Sequence, residues 1–165
     1  MWEERKLHLN CSDFAELVEP FWKAGVFDFA EVYGAECFGR WADVKDGEIL
    51  LALALALRAP RQGHVGVELK TVADRIVVEN SLSLPWPEPN RWLKKVVECE
   101  SLVDRHGTGR QPFVMVNERA HPCEEDEPAR LLSRRFFRLE QEVAQRIQEL
   151  LQSTPLMEES RALSL

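Results

Sequence analysis

The run from Ile49 to Leu57, ILLALALAL, is apolar at every position and then changes abruptly to Arg58, Pro60, Arg61, Gly63 and His64. A segment hydrophobic on every side needs neighbours on every side, so the fold has to be built around it. Leu and Ala are strong helix formers. Leu/Ala alternation also has the period of a strand, but so much alanine makes a poor one. The pattern predicts a central buried helix over about 48–59. Asp46 and Gly47 suit its start, and Pro60 disfavours helix at the residue before it. At about 1.5 Å per residue the run falls well short of the roughly 30 Å bilayer core, so no membrane segment is predicted.

A chain of 165 residues suits one domain that buries roughly two thirds of its unfolded surface without needing a staple. Cys11, Cys37, Cys99 and Cys123 are widely spaced with no CxxC, and MWEERKLHLN lacks a signal-peptide apolar core. Both features point to a reducing cytoplasm. A net charge of -7 and a pI near 5.2 argue against broad non-specific binding to nucleic acid, though not against a local basic face. No repeat is visible, which sets the repeat architectures aside.

Asp13 with Glu16 predicts a first helix that starts at Asp13, ends before Gly25 and is open to a kink or split at Pro20. Asp28 with Glu31 predicts a second, carrying Phe29, Val32, Tyr33, Cys37, Phe38 and Trp41 to about Ala42. Val65, Val67 and Leu69 alternate with Gly66 and Glu68, which fits a short extended segment or a helix approach. Thr71 to Val78 has the signals of a short helix, and Asn80 to Asn90, with Pro85, Pro87 and Pro89, those of an extended linker. Helix resumes around Arg91, with Trp92, Leu93, Val96 and Val97 as its apolar face, and ends near Ser101. His106 to Gly109 reads as a loop, Pro112 to Asn117 as a strand and Glu118 to Pro128 as an acidic loop. Local propensity over Ala129 to Leu151 favours one long helix, with Phe136, Leu139, Val143, Ile147 and Leu150 at three- and four-residue spacing.

Most candidate chemistry can be pruned. Gly34 to Gly39, GAECFG, has the glycine spacing of a phosphate loop, but Arg40 and Trp41 stand where Lys and Ser/Thr are required, and the segment sits inside a helical pattern. Gly34 and Gly39 are better explained by close helix packing. His8 with Cys11, and His121 with Cys123, carry zinc-ligand types but lack a second pair at finger-like spacing. Ser81, Ser83 and Ser101 lack the strained turn of a nucleophilic serine, and Glu124 to Glu127 reads as a solvated acidic run. No catalytic, cofactor or metal residue is assigned.

Two basic clusters remain as possible partner or DNA contacts. Arg58, Arg61 and His64 surround the exit of the central helix, where cations also favour the negative end of its dipole. Arg130, Arg134, Arg135 and Arg138 are suited to phosphates or an acidic partner, against helical pairing with Glu142 on a solvated face.

Leu50 to Leu69, LLALALALRAPRQGHVGVEL, resembles the N-terminal region of the alpha subunit of exodeoxyribonuclease V, the RecD family, where an apolar helix leads into a Gly-His-Val-Cys-like turn. Gly66 departs from the usual Cys, a change expected to be small. AGVFDFAEVYGAECFGRWA, LPWPEPNRWL, FVMVN and ARLLSRRFFRLEQEVAQRI resemble the same region in the same order, from about Phe14 to Ile147. The resemblance implies a 5′-to-3′ helicase subunit of the RecBCD helicase-nuclease, which processes broken DNA ends. It implies that residues 13–152 are the docking domain toward RecC-like and RecB-like subunits, with DNA met through the assembled complex. Residues 1–12 are read as an N-terminal arm, and Ser153 to Leu165 as a frayed tail or truncated linker. ATP and Mg²⁺ then belong to a motor core beyond this chain, which on its own is no enzyme and carries no cofactor. Aromatic residues such as Trp86, Trp92, Phe136 and Phe137 become either interface anchors or core. The resemblance further makes Arg130 to Arg134 a strand paired with Phe113 to Val116, and starts the last helix near Phe136. The resulting expectation is a mainly α fold: a small helical bundle around the central helix, a minor β-hairpin (about 112–117 with 130–134) and a C-terminal helix. The alternative function is a small DNA-binding module acting through the Arg130 to Arg138 cluster.

Overall fold

A computed structural model describes residues 7–78, 83–117 and 129–153. Helix α1 (Ser12–Lys23) is capped by Cys11, not by Asp13, which lies in the first turn. A tertiary contact overrides the local capping signal here, because the Glu36 carboxylate accepts the backbone N–H groups of Asn10 and Cys11 and fixes where the chain enters the helix. Pro20 neither splits nor ends α1. Helix α2 (Phe29–Trp41) starts as predicted, with the Glu31 carboxylate accepting the Asp28 N–H at 2.5 Å.

Helix α3 (Gly47–Arg58) is the central run. The Asp46 carboxylate accepts the N–H groups of Glu48 (2.9 Å) and Ile49 (3.2 Å), supplying partners that a helix start otherwise lacks. Every residue from Ile49 to Ala56 is buried. A 3-10 turn (Ala59–Gln62) carries the chain past Pro60. The helices α1 and α2 lie along α3, and the sheet and a later helix cover its remaining sides. Burial on this scale is worth about 1.5–3 kcal/mol for each large aliphatic side chain.

After the turn come strand β1 (Gly66–Glu68) and helix α4 (Val72–Arg75), shorter than the Thr71 to Val78 expected. Helix α5 (Pro89–Val97) begins two residues before the expected Arg91 and ends four before Ser101. Pro89 is pre-set for the first helical position, and the Glu88 carboxylate caps the N–H groups of Asn90 (3.1 Å) and Arg91 (2.7 Å). Trp92 is core rather than interface anchor: it is buried, and its indole N–H donates to the Glu48 carbonyl at 2.7 Å. Lys95 lies 2.9 Å from Asp46 and 2.5 Å from Glu48, so α5 clamps the N-terminal end of α3.

Strands β2 (Val103–Asp104), β3 (Phe113–Asn117) and β4 (Ala129–Ser133) precede helix α6 (Arg134–Ser153). The expected two-stranded hairpin is part of a larger, four-stranded mixed sheet of order β1-β4-β3-β2. Strand β4 runs antiparallel to β1 and β3, whereas β2 is parallel to β3. Phe113, Met115 and Leu131 enter the main core, while Val114, Val116 and Leu132 face a second cluster closed by Val65 and Phe137. Both faces are covered, which explains why PFVMVN lacks polar alternation. Phe137 therefore acts as a lid on the sheet. Mainly α architecture stands, with the sheet as one wall. His121, Cys123 and the acidic run Glu124 to Glu127, like Ser81, lie outside the described residues.

Candidate functional site

The exit of α3 opens into a cleft of about 360 Å³, within the range of small ligand pockets. Its floor is aliphatic, from Leu55, Val67, Val72 and Ile76. Arg58, His64, Arg75, Arg130 and Glu68 supply the polar lining. The strand register puts Glu68 opposite Arg130, yet Glu68 pairs with Arg75 at 2.8 Å. Among the described residues neither Arg58 nor Arg130 has a carboxylate partner. Arg58 donates from Nε to the Val26 carbonyl at 2.7 Å. Its guanidinium is pushed below its ordinary pKa by burial and by neighbouring Arg61, against the pull of Glu31. Arg130 Nε is shielded from solvent and has no hydrogen-bond partner among the described residues.

Arg61, expected beside Arg58 and His64 as a contact residue, meets Arg58 at the Val26 carbonyl but does not line the cleft. Its Nε and Nη2 reach the Glu31 carboxylate at 2.7 and 3.1 Å, and Nη2 also reaches the Val26 carbonyl at 3.3 Å. Hydrogen bonding to Glu31 raises its pKa further. Glu31 is buried, so this two-pronged contact is how its charge is tolerated. The structure thus divides the exit cluster: Arg58 and His64 line the cleft, and Arg61 ties the turn to α2.

The second cluster is divided as well. Arg130 joins the cleft. Arg134, expected as a contact, turns inward: it pairs with buried Asp104 and donates to the carbonyls of Gln111 and Gly107, both at 3.0 Å. Arg135 and Arg138 are exposed, and no pairing of Arg138 with Glu142 occurs among the described residues. Sequence reasoning missed Glu68 and Arg75 in the cleft. The β1–β4 register, which nothing local encodes, sets Glu68 opposite Arg130, and Arg75 joins through its ion pair with Glu68.

The phosphate-loop spacing at Gly34 and Gly39 is a packing device. A Cβ at Gly39 would come within 2.6 Å of Leu50 and 2.8 Å of the Val44 carbonyl, and one at Gly34 within 3.0 Å of Leu57. The Cys11 thiol donates to the Lys45 carbonyl at 3.1 Å. Among the described residues no group of three or more His, Cys, Asp or Glu side chains is placed to hold a metal ion. No described helix is long and apolar enough to cross a membrane.

A second surface lies on α6. Leu139, Val143, Ile147 and Leu151 are 43%, 59%, 53% and 73% exposed, in a helix whose residues 141–152 are all exposed. Large apolar side chains aligned along an uncovered helix face are characteristic of an interaction surface.

Comparison with known proteins finds relatives over part of the chain. The chain is 40% identical over 80 residues to the RecBCD enzyme subunit RecD of Mycolicibacterium smegmatis, a match covering 48% of this chain and 12% of that protein. It is 38% identical over 102 residues to the protein of the same name in Mycobacterium tuberculosis, covering 59% of this chain and 17% of that one. The resemblance to RecD is thereby shown, and the chain spans less than a fifth of the length of these relatives. No family model matches the chain, and no solved structure matches it.

Proposed function

We propose that residues 13–152 act as the N-terminal subunit-docking domain of a RecD-like helicase subunit, in a cytoplasmic RecBCD-type complex that processes broken DNA. The observation that carries this reading is the identity to RecD over a stretch that occupies only a small share of that subunit. The exposed apolar face of α6 supplies a surface of the kind a subunit interface buries. In this reading the partners are RecB-like and RecC-like subunits, DNA is met through the assembled complex, and ATP and Mg²⁺ are used by the parent's motor. Co-expression with the cognate RecB-like and RecC-like subunits tests it. Co-purification of this chain is expected, and clean absence of association at micromolar concentration would overturn the proposal. ATP turnover by the chain alone would contradict the assignment of ATP to the motor.

A further inference from the structure

We infer that the cleft at the exit of α3 is a docking pocket for a peptide segment of a protein partner in which a carboxylate side chain stands beside an aliphatic one. Guanidinium charge without a carboxylate in contact is the first ground. Arg58 and Arg130 line one cleft with no carboxylate partner among the described residues, in a chain whose net charge is -7. The second is the shielded Arg130 Nε, a donor without an acceptor. A carboxylate that draws the Arg130 side chain toward the cleft would give this donor an acceptor and remove the cost of leaving it unpaired. Guanidinium groups present planar forks that match a carboxylate.

The third ground is the floor, where Leu55, Val67, Val72 and Ile76 offer an aliphatic patch beside the charges. A phosphate alone leaves that patch unused. A nucleic-acid strand would need a basic track, but here the cations are confined to one concavity with Glu68 in its lining. One carboxylate and one adjacent aliphatic side chain use both halves. The proposal rests on the docking reading above and names the partner chemistry that one of its surfaces accepts.

The direct test is an NMR titration of the ¹⁵N-labelled chain with the synthetic peptide acetyl-Glu-Leu-Glu-Leu-amide, with inorganic phosphate and with a short DNA duplex. Peptide-induced shifts are expected at Gly63, His64, Gly66 and Val67, with saturation at about 1 mM or below. Arg130→Gln should weaken peptide binding about tenfold, equivalent to about 1.4 kcal/mol, while leaving the thermal midpoint nearly unchanged. Arg130→Lys should recover part of the loss. Should Arg130→Gln fail to fold, Arg58→Lys provides the same readout, because it keeps the charge and loses the fork. Absence of peptide shifts at the cleft overturns the proposal, as does binding indifferent to both variants. Displacement of the peptide by a lower concentration of duplex or phosphate also overturns it, in favour of a phosphate site. The docking reading fails separately: peptide capture without subunit co-purification sinks that reading alone, and a subunit complex combined with no peptide capture sinks the pocket alone.

Discussion

Arg134 at the start of α6 and Asp104 at the end of β2 form an ion pair whose side chains are 13% and 5% exposed. Around it the loop closes. The Asp104 carboxylate accepts N–H groups from His106 (2.8 Å), Gly107 (3.1 Å) and Gly109 (2.6 Å), and Arg134 spends its other donors on loop carbonyls. A buried pair satisfied in this way costs little to keep and much to break, since removing one member strands the other. Arg134→Ala or Asp104→Ala should each destabilise the domain by about 3–5 kcal/mol. The double variant should cost clearly less than the sum. Urea unfolding of the four proteins would reveal it, and an additive result would show that the pair is not coupled.

The same carboxylate sets an acid limit. Burial alone would raise the Asp104 pKa, but hydrogen bonding from Arg134 and from the His106 and Gly109 N–H groups outweighs it and holds the carboxyl below its ordinary value. Asp46 shifts in the same direction, with burial opposed by Lys95 and by the first N–H groups of α3. A carboxyl with a depressed folded pKa binds fewer protons in the native state than in the unfolded one. Its stabilisation is complete above the unfolded value of about 3.9 and is lost as pH falls through the folded value. Urea midpoints should therefore hold near neutrality and decline below about pH 4. The decline should be shallower in Asp104→Asn, compared with wild type at matched pH.

Gly66 is less replaceable than the RecD-like pattern suggests. A Cβ there would meet Leu132 at 2.7 Å and the Leu131 carbonyl at 2.8 Å, both on the partner strand β4. The backbone cannot yield cheaply where β4 pairs on both sides. Gly66→Cys, the residue usual in the resembled motif, should cost about 1–3 kcal/mol by overpacking. Gly39→Ala, which collides with Leu50 and the Val44 carbonyl, should cost a similar amount. A thermal midpoint within error of wild type for Gly66→Cys would show that the strands part easily.

What the sequence revealed follows the range of the interactions. The helices α2 and α3 were legible because their signals are local: Asp28 and Asp46 at the starts and an apolar run whose composition demands burial. Strand β4 was legible only through the family resemblance, because ARLLSRRFF carries a local helical pattern and only pairing with β1 and β3 on either side makes ARLLS extended. Two-residue β2 was invisible for the same reason. The candidate site was half legible. Arg58 and His64 stand in the helix exit, but Arg130 reaches the cleft from a strand far along the chain, and Arg61 and Arg134 read as surface cations although each answers a buried carboxylate.

The apolar face of α6 separates folding from docking. Val143 and Ile147 are more than half exposed, so they contribute little to the stability of this domain. The first turns of the helix do the packing, through Phe137 against the sheet. Val143→Glu and Ile147→Glu should each leave the urea midpoint of the isolated chain equivalent to within about 0.5 kcal/mol, as surface substitutions do. If the face is covered in a subunit complex, the same changes place an unpaired carboxylate in a desolvated interface and should weaken association at least tenfold. Co-purification of the variants with RecB-like and RecC-like subunits, read beside their unfolding curves, distinguishes the cases. Variants that unfold early would make the stripe part of the core. Variants that fold and still associate normally would move the docking surface elsewhere on the domain, with the cleft at the exit of α3 as the remaining candidate.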